Sequence, residues 1–339
     1  MARAGPLALP AVGAAVVAAL LALGLVLPSW LLFLGTMAAA NGMVTLGITF
    51  LMRSGVVSFG QGLMFAAGGY AAALAFNRLG ITEAPVLLLL GGICGAVPGI
   101  LIGPLLARYR GIFFAMLTLA MSMVLYGALV KSPALGGSDG FNMSRPTFFG
   151  TMLAEYGLFA TAVVTTGIAG VIAAIHFRSA RGLVSLAVQD NELRVEYLGM
   201  SVRGVVAVNF AVAATLGGIG GALSVMTLGH IDPNFSYWTT SGEFVFAAIL
   251  AGHHSVVAVF VAAVLLELVR SFSSLYFPNT WQLALGLFLL LVIVFLPEGL
   301  GSLWARRARR RARAGPEAAP GATLPETAAG RVRDRKVST

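Results

Sequence analysis

The sequence predicts an all-α polytopic membrane protein with about eight spanning helices and one re-entrant helical hairpin. Hydrophobic residues make up 58% of the 339 residues, charged residues make up 10%, and the mean hydropathy is +0.90. A soluble domain usually carries about 25% charged residues. Apolar runs of about 20 residues, the length that crosses a bilayer, recur along the chain. Most lysines and arginines flank these runs or lie in the C-terminal tail.

Eight apolar runs have the length of a spanning helix. They are 7–28, 30–52, 56–76, 85–107, 112–131, 152–177, 205–229 and 282–297. The first has an apolar core of 21 residues, Leu7–Leu27. A cleaved signal peptide has a core of about 7–15 residues, so we expect a spanning helix here.

Charge and parity predict the topology. The arginine-rich segments 178–203 and 305–313 both belong in the cytoplasm, because short cytoplasmic loops hold the excess of Lys and Arg. An even number of crossings must separate them. Two spanning runs lie between them, so the apolar stretch 242–270 should enter and leave on the outer side as a re-entrant hairpin, broken at 251–255. The same parity places both termini in the cytoplasm.

The composition divides the chain into a transmembrane domain, 1–304, and a basic cytoplasmic tail, 305–339. The tail contains RRARRRAR and then many Pro, Ala and Gly, which predicts a basic juxtamembrane segment, a stop-transfer anchor, followed by disorder. The net charge of +9 does not indicate nucleic-acid binding, because the tail holds 10 of the 22 Lys and Arg. The single cysteine, Cys94, allows no intrachain disulfide and no cysteine metal site.

A polar segment, Phe177–Gly204, interrupts the apolar pattern. Between Gly182 and Leu198 apolar residues recur at helical spacing and polar residues fill the other positions. The pattern predicts one amphipathic helix that lies on the membrane surface, ends at Gly199 and meets a partner. The alternative is a solvated interfacial helix without a partner.

Two carboxylates lie in or beside apolar runs, where ionisable residues are costly and often functional. Glu243 begins the predicted hairpin, so it either satisfies a helix N-terminus or contacts the substrate. Glu267 is three residues before Arg270, which predicts an intrahelical ion pair.

Other polar residues in apolar runs are candidates for the substrate pathway. Asn41, Ser58 and Gln61 can bond backbone groups freed where glycines break a helix, or contact a zwitterionic solute. His253 and His254 are adjacent, and adjacent side chains on a helix point in different directions. No nearby Cys or carboxylate completes a ligand set, so we predict a divergent turn and no metal site here. No nucleotide-binding lysine follows the glycine-rich 137–140 segment, and no catalytic constellation is present, so we expect no enzyme activity.

Five segments, in order, resemble one family. They are SGVVSFGQGLMFAAGGYAAALA (54–75), LGGSDGF (135–141), AVQDNELRVEYLGM (187–200), SGEFVFAAILAG (241–252) and FLPEGLGSLW (295–304). Together they resemble the permease subunits, of the LivM type, of ABC importers for branched-chain amino acids. The chain departs from this family at 251–257, AGHHSVV, where turn glycines are missing.

The resemblance implies a multi-pass protein of the plasma membrane, the inner membrane in bacteria, that moves branched-chain amino acids by alternating access. It implies three kinds of partner: a homologous second permease subunit, two ABC ATPase subunits and an extracytoplasmic solute-binding protein. This chain itself should bind no cofactor, because ATP is used by the partners. The residues that the resemblance assigns to ATPase coupling are Ala187, Asp190, Asn191, Glu192 and Gly199.

Alternatives remain open at the level of sequence. Related permeases carry urea, short amides or other small neutral solutes. A stand-alone secondary transporter would show unpaired intramembrane acids and inverted repeats. A membrane-embedded enzyme using His253 and His254 would need a converging carboxylate or metal.

Overall fold

The computed structural model describes residues 8–278, 280–295 and 299–302. In this part of the chain twelve α-helices dominate, which confirms the predicted all-α class. The helices are α1 (Ala8–Gly24), α2 (Ser29–Met52), α3 (Gln61–Leu79), α4 (Ala84–Leu106), α5 (Gly111–Val130), α6 (Glu155–Arg178), α7 (Ala180–Asp190), α8 (Glu192–Tyr197), α9 (Val202–Leu228), α10 (Trp238–Ala251), α11 (Val256–Tyr276) and α12 (Trp281–Phe295). The tail predicted at 305–339 lies outside the described residues.

The connections between helices contain short strands and turns. Strand β1 (Phe141–Asn142) pairs antiparallel with β4 (His230–Ile231), and β2 (Thr147–Phe148) pairs antiparallel with β3 (Thr151–Met152). A 3₁₀ turn at Pro233–Ser236 precedes α10. The strands lie at one end of the bundle, whereas this turn is buried against α3 and α5.

Several of the segments that connect helices lie at one end of the bundle, where side chains bond them to one another. Arg53, which follows α2, donates to the carbonyl oxygen of His253 at 3.0 Å. Arg110, between α4 and α5, pairs with Glu192 of α8 at 2.7 Å. We call this the basic end, because seven of the eleven described Lys and Arg residues lie there. They are Arg53, Arg108, Arg110, Arg178, Arg181, Arg194 and Arg203.

The remaining connections meet at the opposite end, which we call the loop end. Asn77 Nδ2 donates to the Asn142 carbonyl oxygen at 2.9 Å, and the Thr147 amide donates to the Thr82 carbonyl oxygen at 2.7 Å. Four described cations lie near this end: Arg78, Lys131, Arg145 and Arg270. Helices α1–α6 and α9–α12 run alternately between the two ends.

Six described helices are long and apolar enough to cross a membrane: α2, α4, α5, α6, α9 and α11. The structure therefore supports a polytopic membrane protein, and the count of eight spans plus a hairpin stays a prediction. Helix α1 and helix α12 contain shorter apolar segments. Helix α3 begins at Gln61, five residues later than the predicted start at 56, because the chain after Arg53 is non-helical and turns at Gly55, where φ is +76°.

The stretch 242–270 is divided at the predicted place. Helix α10 ends at Ala251, and α11 begins at Val256 after a turn at Gly252, where φ is +71°. The turn contacts Arg53 and therefore lies at the basic end. The hairpin is longer than the sequence predicts, because apolar residues extend α11 to Tyr276, and its 21 residues suffice for a crossing.

Glycines bring α3, α4 and α9 into close contact. A Cβ atom added at Gly218 of α9 would meet the carbonyl oxygen of Gly91 in α4, and one added at Gly68 of α3 would meet the carbonyl oxygen of Gly218. At Gly221 it would meet the carbonyl oxygen of Phe65. Such small residues let helix backbones approach closely in a membrane, where van der Waals packing drives association.

Candidate functional site

The polar segment at the basic end folds as two helices rather than the single helix predicted. The Ser179 hydroxyl accepts a hydrogen bond from the Gly182 amide at 3.3 Å and so caps the start of α7. Asn191 leaves the helical conformation, with φ −162° and ψ 103°, and its Oδ1 accepts from the Arg194 amide at 3.0 Å. Asn is a preferred N-cap residue, so the Asp190-Asn191 pair was the signal for this break.

Gly199 ends α8, as predicted. Its φ is +81°, and its amide donates to the Glu196 carbonyl oxygen at 2.9 Å. The Met200 amide donates to the Val195 carbonyl oxygen at 3.3 Å. These two bonds form a Schellman motif, in which glycine tolerates the left-handed conformation best.

The two helices bury a narrow face. Val188 and Val195 pack with Val202 at the start of α9, and the buried hydroxyl of Ser185 accepts a hydrogen bond from Asn209 Nδ2 at 3.0 Å. Three of the four leucines on the predicted apolar face are instead exposed, and the fourth, Leu186, is partly buried. Leu183, Leu193 and Leu198 are 58%, 65% and 76% exposed. The buried face consists of smaller residues, Ser185, Val188 and Val195, and the helical spacing of the leucines does not predict it.

The exposed side of α7 and α8 therefore mixes apolar and charged groups. Among the residues assigned to coupling, Ala187, Asp190, Asn191 and Gly199 are exposed. The large apolar side chains that accompany them are Leu183, Leu193, Tyr197, Leu198 and Met200. We call this set the α7–α8 surface.

Two contacts connect the α7–α8 surface with the spanning helices. Glu192, the fifth assigned residue, is half-buried and pairs with Arg110, which also donates to the Ala107 carbonyl oxygen at 2.7 Å. Gly55 packs against Gln189, since a Cβ atom added at Gly55 would be in ordinary van der Waals contact, 3.4 Å from the Gln189 Cα. Movement of α7 and α8 would therefore reach the connections after α2 and α4.

A second polar region is buried between α2, α10 and α11. Asn41 Nδ2 donates to Glu267 Oε2 at 2.9 Å, and Arg270 Nη1 lies 3.5 Å from Glu243 Oε2. Helix α10 begins at Trp238, so Glu243 lies in the second turn and does not serve as the predicted group at the helix start. Arg270 also acts electrostatically on Glu267. The structure thus joins two of the predicted pathway residues, Asn41 and Glu243, through two residues of α11.

A cavity of about 380 Å³ adjoins this region towards the loop end. Glu267 reaches its wall. The other lining residues are Ser29, Trp30, Phe33, Leu34, Glu155 and Ser271. The mixed aromatic and acidic lining belongs to the N-terminal ends of α2 and α6 and to α11.

The other two predicted pathway residues lie where α3 begins. The buried Ser58 hydroxyl accepts from the Gly60 amide at 3.2 Å, and the Gln61 side chain is 1% exposed, with an Oε1 that makes no hydrogen bond within the described chain. The next amide, that of Gly62, donates to the Ser241 hydroxyl of α10 at 3.0 Å. Helix α10 thus contacts both polar regions, through Ser241 and Glu243.

Two serines that no sequence pattern marks complete the polar group at the start of α3. The Ser122 hydroxyl of α5 donates to the Ser236 carbonyl oxygen at 2.7 Å, just before α10. Serines in an apolar sequence are common, so no periodic signal marks them. Their position is set by the turn that precedes α10.

The histidine pair lies in the α10–α11 turn, with ring centres 4.1 Å apart. Burial, then the charges of His254 and Arg53, lower the pKa of His253 to about 4, so this imidazole is neutral at physiological pH. Within the described residues no three His, Cys, Asp or Glu side chains come together as metal ligands. The turn interpretation fits this geometry.

Sequence comparison identifies the family. The family described as "Branched-chain amino acid transport system / permease component" matches residues 30–296, from α2 to the end of α12. The chain belongs to this family. The permease match covers both polar regions and the α7–α8 surface, and it confirms the resemblance drawn from the five motifs.

Two relatives of this permease bear the name "High-affinity branched-chain amino acid transport system permease protein LivM". The one from Escherichia coli (strain K12) is 26% identical over 281 residues, and the one from Salmonella typhimurium (strain LT2) is 26% identical over 278 residues. Each alignment covers 73% of this chain but 64% of the relative. The chain thus spans slightly less than two thirds of their length. No solved structure matches it significantly.

Proposed function

We propose that this permease component is the membrane-spanning subunit of an ABC importer that moves branched-chain amino acids by alternating access. The observation that carries the proposal is the family match over 30–296, which extends from α2 to α12 and so covers the six described helices long enough to cross a membrane. The proposed assembly contains a homologous second permease subunit, two ATPase subunits and an extracytoplasmic solute-binding protein. It lies in the plasma membrane, the inner membrane in bacteria, with both termini of this chain in the cytoplasm.

The α7–α8 surface is the proposed docking site for an ATPase subunit. Its exposed leucines and Tyr197 offer apolar anchors, and Asp190, Arg194 and Glu196 offer charges around them. A partner helix groove binds such a short amphipathic element through apolar anchors and polar edges. The position at the basic end supports the assignment, because positive loops remain on the cytoplasmic side, where ATP is available.

The start of α3 is the proposed substrate contact. Ser58 and Gln61 lie there with Ser241 of α10, and all three side chains are buried. The amides of Gly60 and Gly62 are bonded to the Ser58 and Ser241 hydroxyls, so the proposed attraction is that of the positive dipole end of α3 for the carboxylate of a zwitterionic solute. Glu243 is better explained by its pairing with Arg270 than by substrate contact.

Uptake measurements would test the substrate class. The chain, expressed with its neighbouring genes, should transport leucine, isoleucine or valine in competition with one another. Urea or a short amide as the preferred solute would replace the amino-acid proposal by the alternative within the family. The cognate solute-binding protein gives an independent measurement, since its affinity should follow the same order.

Copurification would test the assembly. A tagged chain expressed with its neighbouring genes should bring down two ATPase subunits and a second permease subunit. A stand-alone transporter would bring down none, and it requires unpaired acids in the membrane. Glu243 and Glu267 are instead bonded to Arg270 and Asn41, which argues against that alternative.

A further inference from the structure

Arg53 is a buried arginine that contacts three elements at the basic end. It follows the last residue of α2 and is 6% exposed. Its Nη1 donates to the His253 carbonyl oxygen at 3.0 Å, and its Nη2 donates to the Phe177 carbonyl oxygen at 3.4 Å. The guanidinium carbon also lies 4.2 Å from the centre of the Phe177 ring. One side chain thus holds together the end of α2, the end of α6 and the α10–α11 turn.

The carbonyl groups of Phe177 and His253 lie at the ends of two helices that lead to the functional regions. Phe177 is in the last turn of α6, two residues before Ser179, which caps α7. His253 is in the turn that ends α10, and α10 carries Ser241 to the start of α3. Arg53 therefore connects the junction that precedes the α7–α8 surface with the turn that ends α10.

The chemistry of the contact requires arginine. A guanidinium presents several donors in a rigid plane, so it can bond two carbonyl groups and lie against an aromatic ring at the same time. The carbonyl groups at a helix C-terminus carry partial negative charge, which favours a cation there. Neutral His253 adds no repulsion to this arrangement. The cost of burying the charge is offset by these bonds, although Nε has no hydrogen-bond partner among the described residues.

We propose that Arg53 is a positioning residue that makes the α10–α11 turn move together with the α6–α7 junction. Displacement of the α7–α8 surface then reaches α10 and the residues that it contacts. What displaces that surface rests on the proposed function above. The mechanical link itself is a property of this chain and can be measured without any partner.

Amide hydrogen exchange in the full-length chain, held in a lipid nanodisc, tests the link. In Arg53→Gln the amides of 177–182 and 252–256 should both exchange about tenfold faster or more, because charge-assisted hydrogen bonds that hold both segments are lost. Arg53→Lys keeps the charge but not the planar guanidinium. Its amide exchange rates in both segments should therefore lie between those of the native chain and those of Arg53→Gln. The control is Arg108→Gln, an exposed arginine at the same end, which should exchange like the native chain.

Unchanged exchange of 252–256 in Arg53→Gln would overturn the proposal. If that variant does not fold, Arg53→Lys decides, compared with Arg108→Lys. Faster exchange in only one of the two segments would also contradict a link between them.

A second measurement separates positioning from stability. In the assembled complex, Arg53→Lys should lower transport per ATP hydrolysed several-fold at equal amounts of folded complex. A residue with a merely structural role would reduce the amount of complex and leave that ratio unchanged. A failed copurification would refute the proposed assembly but would not change the exchange rates measured on the chain alone. The proposed function and the role of Arg53 can therefore be refuted independently.

Discussion

Glu192 and Asp190 are two residues apart in sequence but differ in what they contact. Glu192 bonds to Arg110 at 2.7 Å and so ties α8 to the connection between α4 and α5, whereas Asp190 at the end of α7 is exposed. Half-exposed ion pairs contribute about 0.2–1 kcal/mol, so the loss of this pair should not unfold the chain. A loss of function on mutation of Glu192 can therefore come from a lost contact with the proposed ATPase or from the lost pair with Arg110. The two causes must be tested separately.

We predict that Asp190→Ala with Glu192→Ala leaves membrane insertion intact but uncouples transport from ATP hydrolysis. Asp190→Ala alone should weaken ATPase copurification, because it alters only the exposed surface. Arg110→Ala should reproduce the share of the defect that comes from the internal bond. Substrate uptake and ATP hydrolysis, measured together in proteoliposomes, check the set. Normal uptake by the double variant would remove both acids from the mechanism.

Arg270 should stabilise the α10–α11 hairpin through Glu243. Arg270→Ala removes the positive charge that lies 3.5 Å from a largely buried carboxylate. We expect a loss of about 1–3 kcal/mol, less than for a fully buried pair because the Arg270 side chain is 39% exposed. Adding Glu243→Gln to this variant should recover part of the stability, since an amide needs no counter-charge. Thermal unfolding in detergent measures both, and a double variant less stable than Arg270→Ala would contradict the pairing.

At the scale of elements, the sequence predicted helix breaks better than it predicted helix partners. Glycines with positive φ mark the turn at Gly252 and the end of α8 at Gly199. The break at 251–255 was predicted from charge parity, and the helix end at Gly199 was predicted from residue type. The break at Asn191 and the pairing of Glu243 were missed. The helix break was missed because the capping preference of Asn191 competes, over a few residues, with a helical pattern that continues across it. The pairing of Glu243 was missed because it depends on how α10 and α11 pack together. Neither is visible in one helix alone.

Helix α9 is predicted to be the element least tolerant of added volume. Gly218→Val would place a side chain against backbone of α4, at the Gly91 carbonyl group, where backbone cannot yield without separating helices. We expect little folded protein by fluorescence-detected size exclusion. Gly127→Val in α5 is the matched control, because nothing lies within 4 Å of a Cβ atom there. Equal yields from the two variants would show that the close approach of α9 is unimportant for folding.

At the scale of the molecule, the alternation of helices accounts for the even number of crossings that the charge pattern requires. Helix α9 runs from the basic end to the loop end, α10 and α11 return to the basic end and back, and α12 completes the series. Parity could therefore be inferred from charge alone, but the depth of the hairpin could not, because it depends on contacts of its turn with Arg53. The asymmetry of seven described cations against four predicts that the basic end faces the cytoplasm.

Cysteine labelling would determine that orientation. In a Cys94→Ala background, Phe149→Cys places a thiol at the loop end and Tyr197→Cys places one at the basic end, at positions that are 87% and 89% exposed. In cells that express this chain alone, a membrane-impermeant maleimide should label Phe149→Cys directly and Tyr197→Cys only after permeabilisation. Expression without partners matters, because a docked ATPase would cover Tyr197. The reverse pattern would place the α7–α8 surface away from ATP and exclude it as the ATPase site.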